Sequence, residues 1–422
     1  MLNLLAAKLL YNGLVYPVLS LGARVAGLFS RKLRKGLQGR CNVTAHAIAF
    51  RRAHPDAHIV LFHCASAGEL EGIKPLAAQC RLRGFVPCVS YFSPSAEAAI
   101  IPGELDFVDY SPFDSAFAVR NYYSALKPNV VLISKHDVWP NLVWQARKLN
   151  IPIWLINGNF HVGSIKNIPF LRLFHRAIYG QLTGIQTVSE DDAARAANVI
   201  GGRKRVWSVG DSRFDRVWHR AQSELRPLPE FHDALLKERF IIGGSTHVRD
   251  EEILIQSFST IREFHTELKL LIVPHDPSEE AVRRISTRAV NAGLTCGELD
   301  QTFYSHDVTI INRSGLLADI YKYGQLAYVG GGFDRGVHSV LEPMAHGLKV
   351  VCGPKISVSR EAKEANSEGL LAVVNDSREL CDAALRILEA DEAHLVRAFV
   401  SSRAGVVERI LNIVLPPVHA AA

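Results

Sequence analysis

The chain has 422 residues, 48% of them hydrophobic and 21% charged, and a net charge of +6. That length points to two domains, and the composition excludes a disordered or collagen-like protein. The charge is modest for the length, and aromatic residues are not interleaved with the basic ones, so no nucleic-acid partner is expected. Seven cysteines without a CxxC pair argue against a disulfide framework or a zinc site.

Residues 1–35 open with an apolar stretch that carries no charge between Lys8 and Arg24. It is short for a spanning helix and lacks a convincing signal-peptide cleavage site. Three readings stay open: a tilted membrane anchor, a helix lying in the membrane interface, and an amphipathic helix packed on its own protein. The cluster Arg31, Lys32, Arg34, Lys35 and Arg40 favours the first two, because cations there would meet anionic headgroups on the cytoplasmic side.

From position 40 to 215 strands and helices alternate. The expected strands are His58–Phe62, Phe85–Tyr91, Leu105–Tyr110, Asn129–Ser134, Ile151–Asn157, Gly184–Val188 and Arg205–Val209. Alternation of this kind predicts a parallel sheet covered on both faces, with ligands beyond the carboxyl ends of the strands. The polar residues at those ends are His63, Ser66 and Glu69 after the first strand, Tyr91, Ser93 and Ser95 after the second, Lys135, His136 and Asp137 after the fourth, and Asn157 and Asn159 after the fifth. Glu69 has two readings. A cleft carboxylate can serve as a general base, and Ser66-x-x-Glu69 is also a capping-box pattern. Lys135 and Asp137 have the simpler alternative of pairing with each other.

Residues 216–237 are polar and Pro-containing and read as a linker. A second alternating series follows from 238 to 405. Strands are expected at Arg239–Ile242, Lys269–Val273, Asp307–Ile311, Gln325–Val329 and Leu348–Cys352, which complete the sheet, with a helix over Asp250–Phe264. Gly243-Gly244-Ser245-Thr246 reads as a turn whose N–H groups and hydroxyls suit a phosphate. Gly330-Gly331-Gly332 would let a ligand approach the backbone. Glu342 would serve a ribose diol, or close a capping box with Ser339. Neither glycine cluster fits GxGxxG or the P-loop pattern, which disfavours a dehydrogenase or a P-loop kinase. Residues 406–422 form a tail expected to pack back on the N-terminal domain.

Taken in order, several short motifs resemble one family. They are His63-Cys64-Ala65-Ser66-Ala67-Gly68-Glu69, Lys135-His136-Asp137-Val138-Trp139-Pro140-Asn141, Gly210-Asp211-Ser212-Arg213-Phe214-Asp215, Gly244-Ser245-Thr246-His247, Val273-Pro274-His275, Tyr328-Val329-Gly330-Gly331-Gly332-Phe333, and Gly336-Val337-His338-Ser339-Val340-Leu341-Glu342-Pro343. The chain resembles the 3-deoxy-D-manno-octulosonic acid (Kdo) transferases of lipopolysaccharide assembly over nearly its whole length. It departs from the common pattern at Lys135-His136-Asp137, where many members have Glu-Thr-Glu, and at Pro274-His275-Asp276, where many have Pro-Arg-His.

The resemblance implies an α/β fold of GT-B type, with two Rossmann-like domains facing across a cleft. It implies CMP-Kdo as donor, a lipid A precursor as acceptor, inversion at the anomeric carbon, no cofactor and no required metal. It places the catalytic base on Glu69. The donor would meet Gly244, Ser245, Thr246, His275, Gly330, Gly331, Gly332 and Glu342. Ser66, Gly68, Lys135, His136, Asp137 and Arg213 would face the acceptor or an anionic group. The enzyme would sit on the cytoplasmic face of the inner membrane through its N-terminus. Two other functions are compatible with the same residues: another GT-B transferase or epimerase with a different nucleotide sugar, and a non-catalytic membrane-associated nucleotide-sugar-binding protein.

Overall fold

A computed structural model describes residues 4–160, 169–223, 228–300 and 302–415. The chain divides into two units, one of residues 1–213 and 405–422 and one of residues 214–404. Part of the expected linker (224–227) and of the expected tail (416–422) lies outside the described residues.

The first unit is built on a seven-stranded parallel sheet: β1 (Ile59–Cys64), β2 (Val86–Tyr91), β3 (Phe107–Tyr110), β4 (Val130–Ser134), β5 (Ile153–Gly158), β6 (Gly184–Thr187) and β7 (Val206–Ser208). Their order across the sheet is β3-β2-β1-β4-β5-β6-β7. All six residues of β1 and all five of β4 are buried. That explains their continuous apolar runs, because a parallel strand covered on both faces has no polar side to show. The helix Val406–Val414 returns to this unit, where Val406, Ile410 and Leu411 join the core.

The second unit has a sheet of the same size: β8 (Arg239–Thr246), β9 (Leu268–Pro274), β10 (Cys296–Glu298), β11 (Val308–Ile310), β12 (Gly324–Val329), β13 (Lys349–Cys352) and β14 (Leu371–Val373), ordered β10-β11-β9-β8-β12-β13-β14. Side chains alternate between its faces with the strand period of two. Phe240, Ile242, Ala327 and Val329 enter one core, while Ile241, Leu326 and Tyr328 enter the other.

Twelve of the fourteen strands coincide with sequence expectations. β10 and β14 were not expected; each is three residues long and lies at a sheet edge, too short to impose a period. The Gly243–Thr246 turn is a correction. These residues continue β8, and Gly243 and Gly244 pair with Ile272 and Val273 of β9. The glycines are there for packing: a Cβ on Gly244 would stand 2.0 Å from the Tyr321 hydroxyl, and one on Gly243 2.4 Å from Leu254.

The N-terminal helical run Leu4–Phe29 is long and apolar enough to cross a membrane, with 11% of its most apolar window buried. One stripe holds it to the first unit. Ala7 and Tyr11 are buried, the Tyr11 hydroxyl donates to Asp114 Oδ2 at 2.8 Å, and Asn141 Nδ2 donates to Asn12 Oδ1 at 2.9 Å. Leu5, Leu9, Leu14, Val18, Leu21, Val25, Leu28 and Phe29 stay exposed.

The basic cluster after this run is not uniformly open to a membrane. Arg34 caps the run by donating to the Gly27 and Leu28 carbonyls, Lys35 pairs with Glu97, and Arg40 is buried over the Phe92 ring.

Candidate functional site

In each sheet the strand order turns back beside its first strand, between β1 and β4 in the first unit and between β8 and β12 in the second. Loops diverge there and leave a crevice beyond the strand ends, the usual ligand position in open α/β sheets. Most of the residues singled out from sequence stand at these two points.

In the first unit β1 runs through His63 and Cys64 into Ser66, the extended residue that starts the helix Ala67–Leu82. Glu69 lies in the first turn of that helix and is 7% exposed. Its Oε2 accepts the Ala65 N–H at 2.5 Å. The capping-box alternative does not form, because Ser66 makes no side-chain cap bond and Glu69 reaches past the cap residue to Ala65. Burial lifts the Glu69 carboxyl above the ordinary glutamate range. The Ala65 N–H opposes that shift, Asp137 adds to it, and Lys135 and His63 oppose it.

Asp137 does not pair with Lys135. Its Oδ2 meets His63 Nε2 at 3.0 Å, and its Oδ1 takes the Trp139 indole N–H at 2.9 Å. His63 is buried, and its Nδ1 lies 3.1 Å from Ser90 Oγ. Lys135 has a left-handed backbone (φ 57°), and His136 is exposed. Gly68 is exposed as well. Arg213 donates to Asp211 at 2.9 Å; although burial alone would raise the Asp211 carboxyl, Arg213 holds it below its ordinary value.

Beside this cluster runs an apolar groove, lined among others by Leu19, Ala23, Leu33, Leu37, Phe92 and Trp139, with Arg40 on its wall. The Phe92 and Trp139 rings stack with centroids 5.1 Å apart. The next groove residue, Ser93, donates its N–H to the Ala65 carbonyl at 2.9 Å. Ala65 thus joins the groove to Glu69.

In the second unit Asp250 organises the strand ends. Its side chain is fully buried and accepts from the His247 N–H (2.9 Å), the Gly331 N–H (2.9 Å) and the Tyr328 hydroxyl (2.7 Å). Sequence reasoning passed over Asp250; the signal was His-x-x-Asp at the head of a strongly periodic helix, a variant of the capping box.

In the glycine triplet two of the backbone N–H groups are already engaged. The Gly330 N–H is engaged by the Gly244 carbonyl and the Gly331 N–H by Asp250, so neither is available to a phosphate. What the triplet provides is close approach: a Cβ on Gly330 would lie 2.2 Å from the Ser245 carbonyl oxygen, and one on Gly332 2.6 Å from the Gly353 nitrogen. Ser245 has a left-handed backbone (φ 51°). The Thr246 hydroxyl is buried without a hydrogen-bond partner among the described residues.

His275, singled out from sequence, has two partners that were not. His247, His275 and His338 place one ring nitrogen each within 4.8 Å of the others. Burial, then His275 and His247, pushes the His338 ring below the ordinary histidine value.

Glu342 is not part of a Ser339 capping box, because the helix Leu341–Ala345 starts after Val340. Burial raises its carboxyl above the ordinary value, against the pull of Arg216 and Arg220.

The family profile described as "3-Deoxy-D-manno-octulosonic-acid transferase (kdotransferase)" matches residues 36–216. A 3-deoxy-D-manno-octulosonic acid transferase of Aquifex aeolicus is 26% identical over 75% of this chain and 82% of its own length. One from Chlamydophila psittaci is 25% identical over 72% of each chain. The chain is a homologue of the Kdo transferases. These are glycosyltransferases, and the two parallel sheets are those of the GT-B architecture. Among solved structures, the UDP-GlcNAc 2-epimerase of Neisseria meningitidis superposes with a TM-score of 0.60 over 84% of this chain and 98% of its own. At 12% identity that likeness is one of fold.

Proposed function

We propose that this Kdo transferase homologue moves Kdo from CMP-Kdo to a lipid A precursor, with inversion at the anomeric carbon and with Glu69 as general base. Glu69 carries the reading. It is a buried carboxylate with a raised pKa at the switch point of its sheet, it falls on the family's Ser-x-Gly-Glu position, and it is joined through Ala65 to an apolar groove. Ionised Glu69 takes the proton of the acceptor hydroxyl as that oxygen bonds to the anomeric carbon. The bond from that carbon to the CMP phosphate oxygen breaks, and CMP leaves with the electron pair. No metal is assigned a part in this displacement.

The first unit takes the acceptor. The groove beside Glu69 suits an acyl chain. The second unit takes the donor, with Ser245, Thr246, His275 and Glu342 as its polar contacts. Lys135 offers a further cation at the mouth of the first sheet. The N-terminal helix lies in the interface of the cytoplasmic membrane leaflet, because one stripe is docked on the first unit while its leucines face outward.

The test is CMP release from CMP-Kdo, measured with and without a lipid A precursor, followed by mass analysis of the lipid. Acceptor-dependent CMP release with a Kdo-sized mass gain supports the proposal. Thermal stabilisation by UDP and not by CMP would overturn the donor assignment.

A further inference from the structure

Three histidines converge at the second unit's switch point from three separate places: the end of β8, the end of β9 and the loop after β12. Each backbone is pinned. The His247 N–H goes to Asp250, the His275 N–H to the Thr246 carbonyl at 3.0 Å, and the His338 N–H to the Gly330 carbonyl at 3.1 Å. The ring centroids are 4.7 Å (His247 to His275), 4.4 Å (His275 to His338) and 5.2 Å (His247 to His338) apart.

The Nε2 atoms of His247 and His338 face each other at 2.9 Å. One N–H···N bond can satisfy that pair, and the exposed His275 ring can be met by water. Protonating all three would place like charges side by side. A shared cation avoids that repulsion and holds all three rings, since every neutral imidazole then presents a lone pair.

We propose that His247, His275 and His338 form a binding site for a divalent transition metal of the zinc class. Tetrahedral bonds of about 2.0–2.1 Å put ligand nitrogens roughly 3.3 Å apart. One pair is already slightly closer than that, while the three ring planes lie within 22° of one another, so metal binding requires the His275 ring to turn out of the stack and aim its nitrogen at the ion. Imidazole ligands suit zinc, cobalt, nickel or copper; magnesium and calcium prefer oxygen.

The surroundings match such a site. Asp334 Oδ2 stands 3.7 Å from His247 Nδ1, on the side of the ring away from His338, just beyond hydrogen-bond distance and near enough to orient a metal-bound imidazole once it closes in. Gly331 is required for the approach: its φ is +89°, and a Cβ there would come within 2.9 Å of the His338 ring. The buried hydroxyl of Thr246, without a partner among the described residues, directly precedes His247. Three protein ligands leave at least one coordination position open, which fits an anionic oxygen of a phosphate or carboxylate. This site goes beyond the transfer proposal, which routes no step through it.

The test uses the full-length protein, stripped with a chelator and titrated with Co²⁺ and then Zn²⁺ in the absence of any sugar nucleotide. The expected result is one ion per chain, visible d–d absorption from Co²⁺, and three imidazole nitrogens at about 2.0–2.1 Å in the Zn²⁺ X-ray absorption spectrum. Asp334→Ala is expected to weaken binding about 10–100-fold, and His275→Ala more than that. His275 is exposed, so its variant is expected to keep the metal-free melting temperature. Absent or substoichiometric binding would overturn the proposal. So would binding that persists with equal affinity in the His247→Ala/His275→Ala/His338→Ala variant, or a zinc spectrum without imidazole. Kdo transfer is not measured, so a failed ion titration leaves the transfer reading standing, and a failed transfer assay leaves the ion site standing.

Discussion

His63 and Asp137 stand 74 positions apart in the chain and meet at 3.0 Å. The contact ties the end of β1 to the loop after β4, across the reversal in strand order. Asp137 also holds Trp139, which stacks on Phe92 in the groove wall. One carboxylate therefore fixes the loop facing Glu69, shapes the groove, and adds a negative charge that lifts the Glu69 pKa.

Glu69→Gln is expected to keep the fold and lower turnover by about 10²–10⁴, the usual contribution of a general base. Its effect on stability has the opposite sign. The Glu69 carboxyl has a higher pKa folded than unfolded, so its stabilising share is full at low pH and lost as pH rises through the folded value. Glutamine carries no charge and escapes that loss. Melting curves are expected to favour the variant at neutral pH, with the difference vanishing in acid; near-normal turnover in this variant would remove the base assignment.

The acid limb of kcat/KM is expected above the ordinary glutamate range, because a base must be ionised and Glu69 is held protonated to higher pH. Asp137→Asn removes a charge that raises this pKa, so the limb should move to lower pH. Lys135→Ala removes a charge that lowers it, so the limb should move to higher pH. A pH–rate profile of each variant reads these shifts directly, and a limb that stays in place in both would dissociate it from Glu69.

Asp250→Ala removes the acceptor for two N–H groups and the Tyr328 hydroxyl in a fully buried place. The expected loss is about 2–4 kcal/mol, because the donors left behind are cut off from water. Urea unfolding monitored in the second unit checks this. Asp250→Asn keeps an acceptor oxygen and is expected to lose less.

The central strands and the placement of Glu69 at a strand-to-helix junction were legible in the sequence because each carries a local signal. β1 and β4 are unbroken apolar runs, and Glu69 sits where such a run gives way to a helix. The roles of Gly243 and Gly244 were not legible. Two adjacent glycines look alike whether they form a turn or make room for Leu254 and Tyr321, and the second cause lies far away in the chain. The histidine cluster was hidden for the same reason: His247, His275 and His338 stand in three unrelated motifs, and only the strand order brings them together. Asp137 shows how a local guess fails, since Lys135 was the nearer cation in sequence but His63 is the partner in space.

The N-terminal helix supplies the last prediction. Tyr11 and Ala7 face the first unit, while Leu14, Leu21 and Leu28 are 58%, 65% and 68% exposed. Burying a leucine in an apolar environment is worth about 1.5–3 kcal/mol. Leu14→Ser/Leu21→Ser/Leu28→Ser is therefore expected to weaken sedimentation with anionic vesicles by more than about 100-fold. The melting temperature should stay near that of the parent, since none of the three supports the core. Arg31 and Lys32 are exposed and add about 1 kcal/mol each near an anionic surface, so vesicle binding should fall as salt is raised. Tyr11→Phe makes the contrasting case: it breaks the bond to Asp114 that docks the helix, and should lower the melting temperature while leaving the outward leucines able to hold the vesicle. Equal vesicle binding by the triple variant and the parent would refute the interfacial reading.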